Sequence, residues 1–177
     1  TPIILMGYLN HIEAYGLDRF CVDASAAGID GLIIVDMPPE EAGPMQAPAR
    51  AAGLDIIRLI APTTDDSRLK LVLNHASGFV YYVSITGITG TRSASDEDLC
   101  AALPRLRAAT DLPVAIGFGI RTPEQAASAS RIADGAVVAS ALLDTLAGTL
   151  DANEQATPST LPAVLTQLRD LAAAVRR

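Results

Sequence analysis

Six short apolar runs recur along this chain, at residues 3–6, 32–35, 56–60, 79–83, 114–116 and 136–138, with alanine- or leucine-rich helical stretches between most of them. None of the six alternates polar with apolar residues. A strand that is apolar throughout is buried on both faces, and such strands separated by helices build a parallel sheet from βα units. The helical stretches carry their own boundary signals. Asp65, Asp66 and Ser67 precede Leu69, Ser95 is followed by Asp98, and Gly28 and Gly53 stand ahead of the second and third strands. From Leu161 onward, Val164, Leu165, Leu168, Leu171 and Val175 follow the 3.6-residue period of an amphipathic helix, expected over about residues 160–176 and packed on the outside. An open doubly wound α/β sheet and a (β/α)8 barrel both accommodate this pattern, and periodicity does not separate them.

In either fold the functional residues gather where strands end and loops begin. Those ends read GYLN, DMPPEE, APTTDD, SITGITGTRSAS, GFGIRT and ASALLD in chain order. In the stretch PVAIGFGIRTPEQ, residues 113–125, an apolar strand runs through Gly117 and Gly119 into Thr122, Pro123 and Gln125. A threonine N-cap, proline at the first helical position and glutamine three residues after the cap announce a helix. A bare glycine turn beside a helix N-terminus suits an anion such as phosphate, although a lone GxG makes only a tight turn. Together the fifth and sixth strand ends resemble the phosphate cradle that belongs to strands seven and eight of a TIM barrel. On that reading the six strands are the last six of eight, and a chain whose first residue is Thr1 starts inside the barrel.

With 177 residues, half of them hydrophobic, the chain supports one core, so residues 1–177 are expected to form a single partial barrel domain. A net charge of −7 and 4% aromatic residues argue against a nucleic-acid partner. No apolar run reaches the roughly 20 residues that span a bilayer. Cys21 and Cys100 lack a CxxC spacing and read as reduced cytoplasmic thiols, while His11 and His75 have no ligand set around them, so no metal is expected.

The segments LMGYLN with YGLDRF, GIDGLIIVDMPPEEA, YYVSITGITGTRS, TDLPVAIGFGIRTPEQ and DGAVVASALL, in this order and spacing, resemble the tryptophan synthase alpha chain family over essentially the whole chain. The resemblance implies a TIM barrel whose lyase activity splits indole-3-glycerol phosphate into indole and glyceraldehyde 3-phosphate. It also implies an alpha-beta-beta-alpha heterotetramer, in which indole passes through a tunnel to a beta subunit. Pyridoxal phosphate is expected only in that partner, with no cofactor in this subunit.

The resemblance further implies roles for single residues. Tyr8 and Tyr81 line the indole pocket, with Ile33, Val35 and Ile60 as apolar neighbours; from the sequence alone either tyrosine also reads as plain core. Thr89 and Gly90 belong to a glycine-punctuated lid, and Phe118 flanks the substrate. Gly90, Gly119 and Ser140 offer backbone N–H groups to the phosphate, and Ser140 its hydroxyl. The family's Gly-Ser reads Ala139-Ser140 here; alanine keeps the N–H but adds a methyl and disfavours positive φ, so phosphate binding is expected to be weaker or slightly displaced. Asp36, Pro38 and Glu40 face the beta subunit, although Asp36 also reads as a helix cap. The general acid and base are carboxylates from the family's second strand and the loop after it, which by the resemblance precede Thr1. No catalytic residue is therefore expected in this chain, and alone it is expected to be inactive. A non-catalytic sugar-phosphate- or partner-binding barrel remnant is the alternative. Another phosphate-binding barrel enzyme, a thiamine phosphate synthase or an isomerase, fits DMPPEE and GITGTRS less well.

Overall fold

The computed structural model describes residues 1–83, 96–117 and 119–176, with no account of the side chains of residues 96–98. It divides into two compact units, one of residues 1–82 and 106–114 and one of residues 83–105 and 115–177.

The first unit opens with β1 (Ile4–Gly7), α1 (Leu9–Tyr15) and α2 (Leu17–Ala26), followed by β2 (Gly31–Ile34) and a 3-10 turn at Pro39–Glu41. Next come α3 (Gly43–Ala51), β3 (Asp55–Ile56), β4 (Arg58–Ile60), α4 (Asp66–Leu73) and β5 (Val80–Val83). All the pairings are parallel, as doubly apolar strands require: Leu5 lies opposite Leu32, Leu32 opposite Ile56, and Leu59 opposite Tyr81. The single strand expected at residues 56–60 is instead two. β3 pairs with β2 and β4 pairs with β5, so the chain changes partner around Ile57, whose N–H still donates to the Leu32 carbonyl. Leu32, Ile34 and Ile56 point to one face and pack with Ile12, Cys21, Ala24, Met45 and Ala49 from the helices.

Local signals in the sequence account for the helix ends. Asp65 caps α4 by accepting the Arg68 N–H at 2.7 Å, and the turns before β2 and β3 reach positive φ at Gly28 and Gly53. Gly31 is required for a different reason. A Cβ there would stand 2.8 Å from Ile57 Cδ1 and 3.0 Å from the Asp55 carbonyl oxygen, and backbone cannot yield as a side-chain tip can. Gly31→Ala is expected to destabilise the protein by about 1–3 kcal/mol, seen as a lower midpoint in a thermal melt; an unchanged midpoint would show that β2 and β3 separate at no cost.

The second unit holds most of α5 (Asp96–Ala109) and of β6 (Val114–Gly117), then α6 (Pro123–Ile132), β7 (Gly135–Val137), α7 (Ser140–Ala147) and α8 (Thr160–Val175). Within it α8 packs on α6 and α7. Ala126, Ala127, Ala129 and Ala141 are buried, and side chains this small let helices approach closely. Among the described residues no helix is long and apolar enough to cross a membrane.

Candidate functional site

In the second unit the parallel register sets Ala115 opposite Gly135, Ile116 opposite Ala136 and Gly117 opposite Val137. Two residues beyond the last pair, each strand has turned into a loop, with Gly119 after β6 and Ala139 after β7. Gly119 has φ +82°, a conformation that side-chain-bearing residues rarely adopt. Ala139 has φ −126°, so the methyl group that replaces the family's glycine carries no left-handed penalty there, and the expected backbone conflict does not arise.

The two helices that follow differ at their N-termini. Thr122 and Gln125 form the capping box that their spacing predicts: Gln125 N–H donates to Thr122 Oγ1 at 3.3 Å, and Gln125 Oε1 accepts from the N–H groups of Arg121 and Thr122 at 2.8 and 3.2 Å. The start of α6 therefore carries the cap its sequence announces. α7 has no side-chain cap, and the Ala139 carbonyl already accepts from Leu142 and Leu143. Its first N–H groups, at exposed Ser140 and at Ala141, have no carbonyl one turn back to bond, and they stand at the positive end of the helix dipole. Of the two helices, α7 is thus the one that starts without a side-chain cap. Arg121 pairs with Asp144 of α7, tying the loop after β6 to that helix. Phe118, Thr89 and Gly90 lie outside the described residues.

In the first unit Tyr8 follows β1 directly and is 57% exposed, whereas Tyr81 is the second residue of β5 and 5% exposed. Burial pushes the Tyr81 phenol up. Paired residues of parallel strands share a face. Met6 lies opposite Ile33, and the Val35 N–H donates to the Gly7 carbonyl at 3.0 Å, so Tyr8, Ile33 and Val35 fall on the face turned away from the helix-packed Leu32 and Ile34. Leu59 lies opposite Tyr81, and Ile60 opposite Tyr82. Leu59, which the sequence reading passed over, is therefore the neighbour of Tyr81; Ile60 takes the opposite face and is fully buried.

The loop from Asp36 to Glu41 is held from three sides. Asp36 Oδ1 accepts the N–H of Leu9, the first residue of α1, at 2.8 Å, so it does cap a helix, one that lies 27 residues earlier in the chain. Arg58 Nη1 donates to the Met37 carbonyl at 3.5 Å. Glu40 pairs with Arg68 of α4, both half exposed. Its own backbone N–H and then Arg68 hold the Glu40 carboxyl below its usual value. The ionised form that makes the pair therefore persists to a lower pH than an ordinary glutamate's. Pro38 is extended and starts the 3-10 turn. Among the described residues no three His, Cys, Asp or Glu side chains group to hold a metal ion, and Cys21 and Cys100 are free thiols.

A family model described as "Tryptophan synthase alpha chain" matches residues 1–174. The tryptophan synthase alpha chains of Gluconacetobacter diazotrophicus and Gluconobacter oxydans are 70% and 69% identical over 176 residues, 99% of this chain. The chain spans 64% and 65% of those two relatives. Among solved structures, tryptophan synthase subunit alpha from Legionella pneumophila superposes with a TM-score of 0.84 at 38% identity, covering 99% of this chain and 63% of that one. A subunit from the Pyrococcus furiosus tryptophan synthase α2β2 complex superposes with a TM-score of 0.81 at 33% identity, covering 98% of this chain and 67% of that one.

Proposed function

Because this chain belongs to the tryptophan synthase alpha chain family and shares the parallel α/β build of that family's TIM-barrel structures, we propose that it serves the family's lyase reaction, which splits indole-3-glycerol phosphate into indole and glyceraldehyde 3-phosphate in tryptophan biosynthesis. The observation that carries this reading is the paired exit of Gly119 and Ala139 from β6 and β7, with an uncapped helix opening at Ser140. In this reading the N–H groups of Gly119 and Ser140, with the Ser140 hydroxyl, receive the phosphate, and Thr89, Gly90 and Phe118 complete the substrate contacts. Tyr8 and Tyr81 serve the indole ring, with Ile33, Val35 and Leu59 beside them.

Breaking the bond between indole C3 and the glycerol chain requires a proton delivered to C3 and another removed from a glycerol hydroxyl, whose oxygen becomes the aldehyde carbonyl. Neither task is assigned to a residue of this chain. Asp36 is engaged with the Leu9 N–H, and the acid and base are taken to be family carboxylates outside residues 1–177. Loss of each such group removes about 10²–10⁴ in rate. A polypeptide limited to residues 1–177 is accordingly expected to release essentially no indole.

The proposed partner is a beta subunit carrying pyridoxal phosphate, met through Asp36, Pro38 and Glu40; no cofactor is assigned to this subunit, and its setting is the cytoplasm. The test is indole release from indole-3-glycerol phosphate by the subunit at the full length of its relatives, alone and with a beta subunit. Turnover that rises with the partner supports the reading. Binding of glycerol phosphate without indole release would replace it with a non-catalytic phosphate-binding barrel.

A further inference from the structure

Arg58, the first residue of β4, is 4% exposed. Its Nη1 reaches the Met37 carbonyl at 3.5 Å, while Nε and Nη2 are buried without a hydrogen-bond partner. Burial pushes its pKa down, the mark of a cation held where it is poorly solvated. A buried charge with unsatisfied donors adds little net stability, and an apolar side chain of similar volume often does as well or better in its place. What this arginine supplies is a fixed point beneath a loop. Met37 sits between Asp36, which is tied to α1, and Pro38, which starts the turn carrying Glu40. The Met37 side chain is itself buried in the core with Leu32 and Ile34, which leaves its carbonyl as the group Arg58 reaches.

We propose that Arg58 is a positioning residue for the partner-facing loop: by holding the Met37 carbonyl it fixes the direction in which Asp36 and Pro38 leave β2, and so sets how strongly the partner stimulates the reaction. This rests on the proposed interface role of Asp36. The effect is transmitted through one backbone carbonyl, and no contact of Arg58 with substrate or partner is involved.

The experiment compares Arg58→Met, Arg58→Lys and Asp36→Ala in the full-length subunit, at a temperature well below its melting point. For Arg58→Met the expected result is an unchanged or raised thermal midpoint and faster amide exchange at Glu41 and Ala42, whose N–H groups donate to the Pro38 and Pro39 carbonyls. Beta-subunit stimulation of indole release should fall by about two- to thirtyfold. Arg58→Lys, which keeps the charge and a single donor nitrogen, should lie between Arg58→Met and the unaltered protein. A merely structural arginine would do the reverse, lowering the midpoint in Arg58→Met and leaving stimulation intact; that outcome overturns the proposal. Normal stimulation in Arg58→Met beside a loss in Asp36→Ala also overturns it. Normal stimulation in both removes the interface reading and the coupling built on it, while unchanged exchange at Glu41 and Ala42 overturns the positioning itself.

Discussion

Gly119→Asp is expected to abolish glycerol phosphate binding by the full-length subunit while leaving most of the fold in place. Gly119 has φ +82° in the loop that leaves β6 beside the start of α7. An aspartate there adds a Cβ where a backbone N–H must approach an oxyanion, and it adds a negative charge facing the phosphate. At an effective dielectric of about 20, two unit charges about 4 Å apart repel by about 4 kcal/mol, close to a thousandfold in affinity. Asparagine has nearly the same size, tolerates positive φ comparably and carries no charge. Gly119→Asn should therefore lose only the part due to bulk, and the difference between the two variants measures the charge. Calorimetric titration with glycerol phosphate, run beside a circular dichroism melt, reads both effects. Unchanged affinity in Gly119→Asp would remove this loop from the phosphate site and with it the observation on which the proposed function stands.

Asp36→Ala carries the second large effect. If Asp36 faces the partner, its loss should lower beta-subunit stimulation of indole release by about 5- to 150-fold while the reaction of the subunit alone changes less. The structure adds a control that the sequence could not suggest. Asp36 Oδ1 accepts the Leu9 N–H, and Asp36→Asn keeps that acceptor while removing the charge. Stimulation lost in both variants assigns the effect to the charge. Stimulation lost only in Asp36→Ala assigns it to the tie between the loop and α1. Full stimulation in Asp36→Ala would leave Asp36 as a helix cap alone, whose removal costs about 0.5–2 kcal/mol in a denaturant melt and nothing in communication.

The elements and their ends were legible in the sequence because each depends on neighbours in the chain. Unbroken apolar runs specified parallel βα units, and Thr122 with Gln125 and Asp65 ahead of Leu69 specified the starts of α6 and α4. Gly28, Gly53 and Gly119 marked the backbone positions that now show positive φ. The same feature that revealed the strands concealed their faces. A strand apolar on both sides has no alternation to read, so only the pairing of Leu59 with Tyr81 and of Ile60 with Tyr82 decides which residue adjoins which tyrosine. For the same reason the single run at residues 56–60 gave no sign that it divides its pairing between β2 and β5.

Contacts between distant residues were decided by tertiary structure alone. Asp36 meets Leu9 across 27 residues and Glu40 meets Arg68 across 28, because strand pairing brings their loops to the same end of neighbouring strands. Arg58 is the one charge inside the run at residues 56–60, and only the structure shows that it is nearly fully buried with its guanidinium at the Met37 carbonyl. The capping box told where α6 begins, but that α7 starts without such a side-chain cap emerged only with the hydrogen bonds in place. Chain-local chemistry fixes dihedrals and caps within a few residues. Which polar groups are left over for a ligand or a partner is a difference between donors and acceptors across the whole fold, and it is settled only when the strands have found their register.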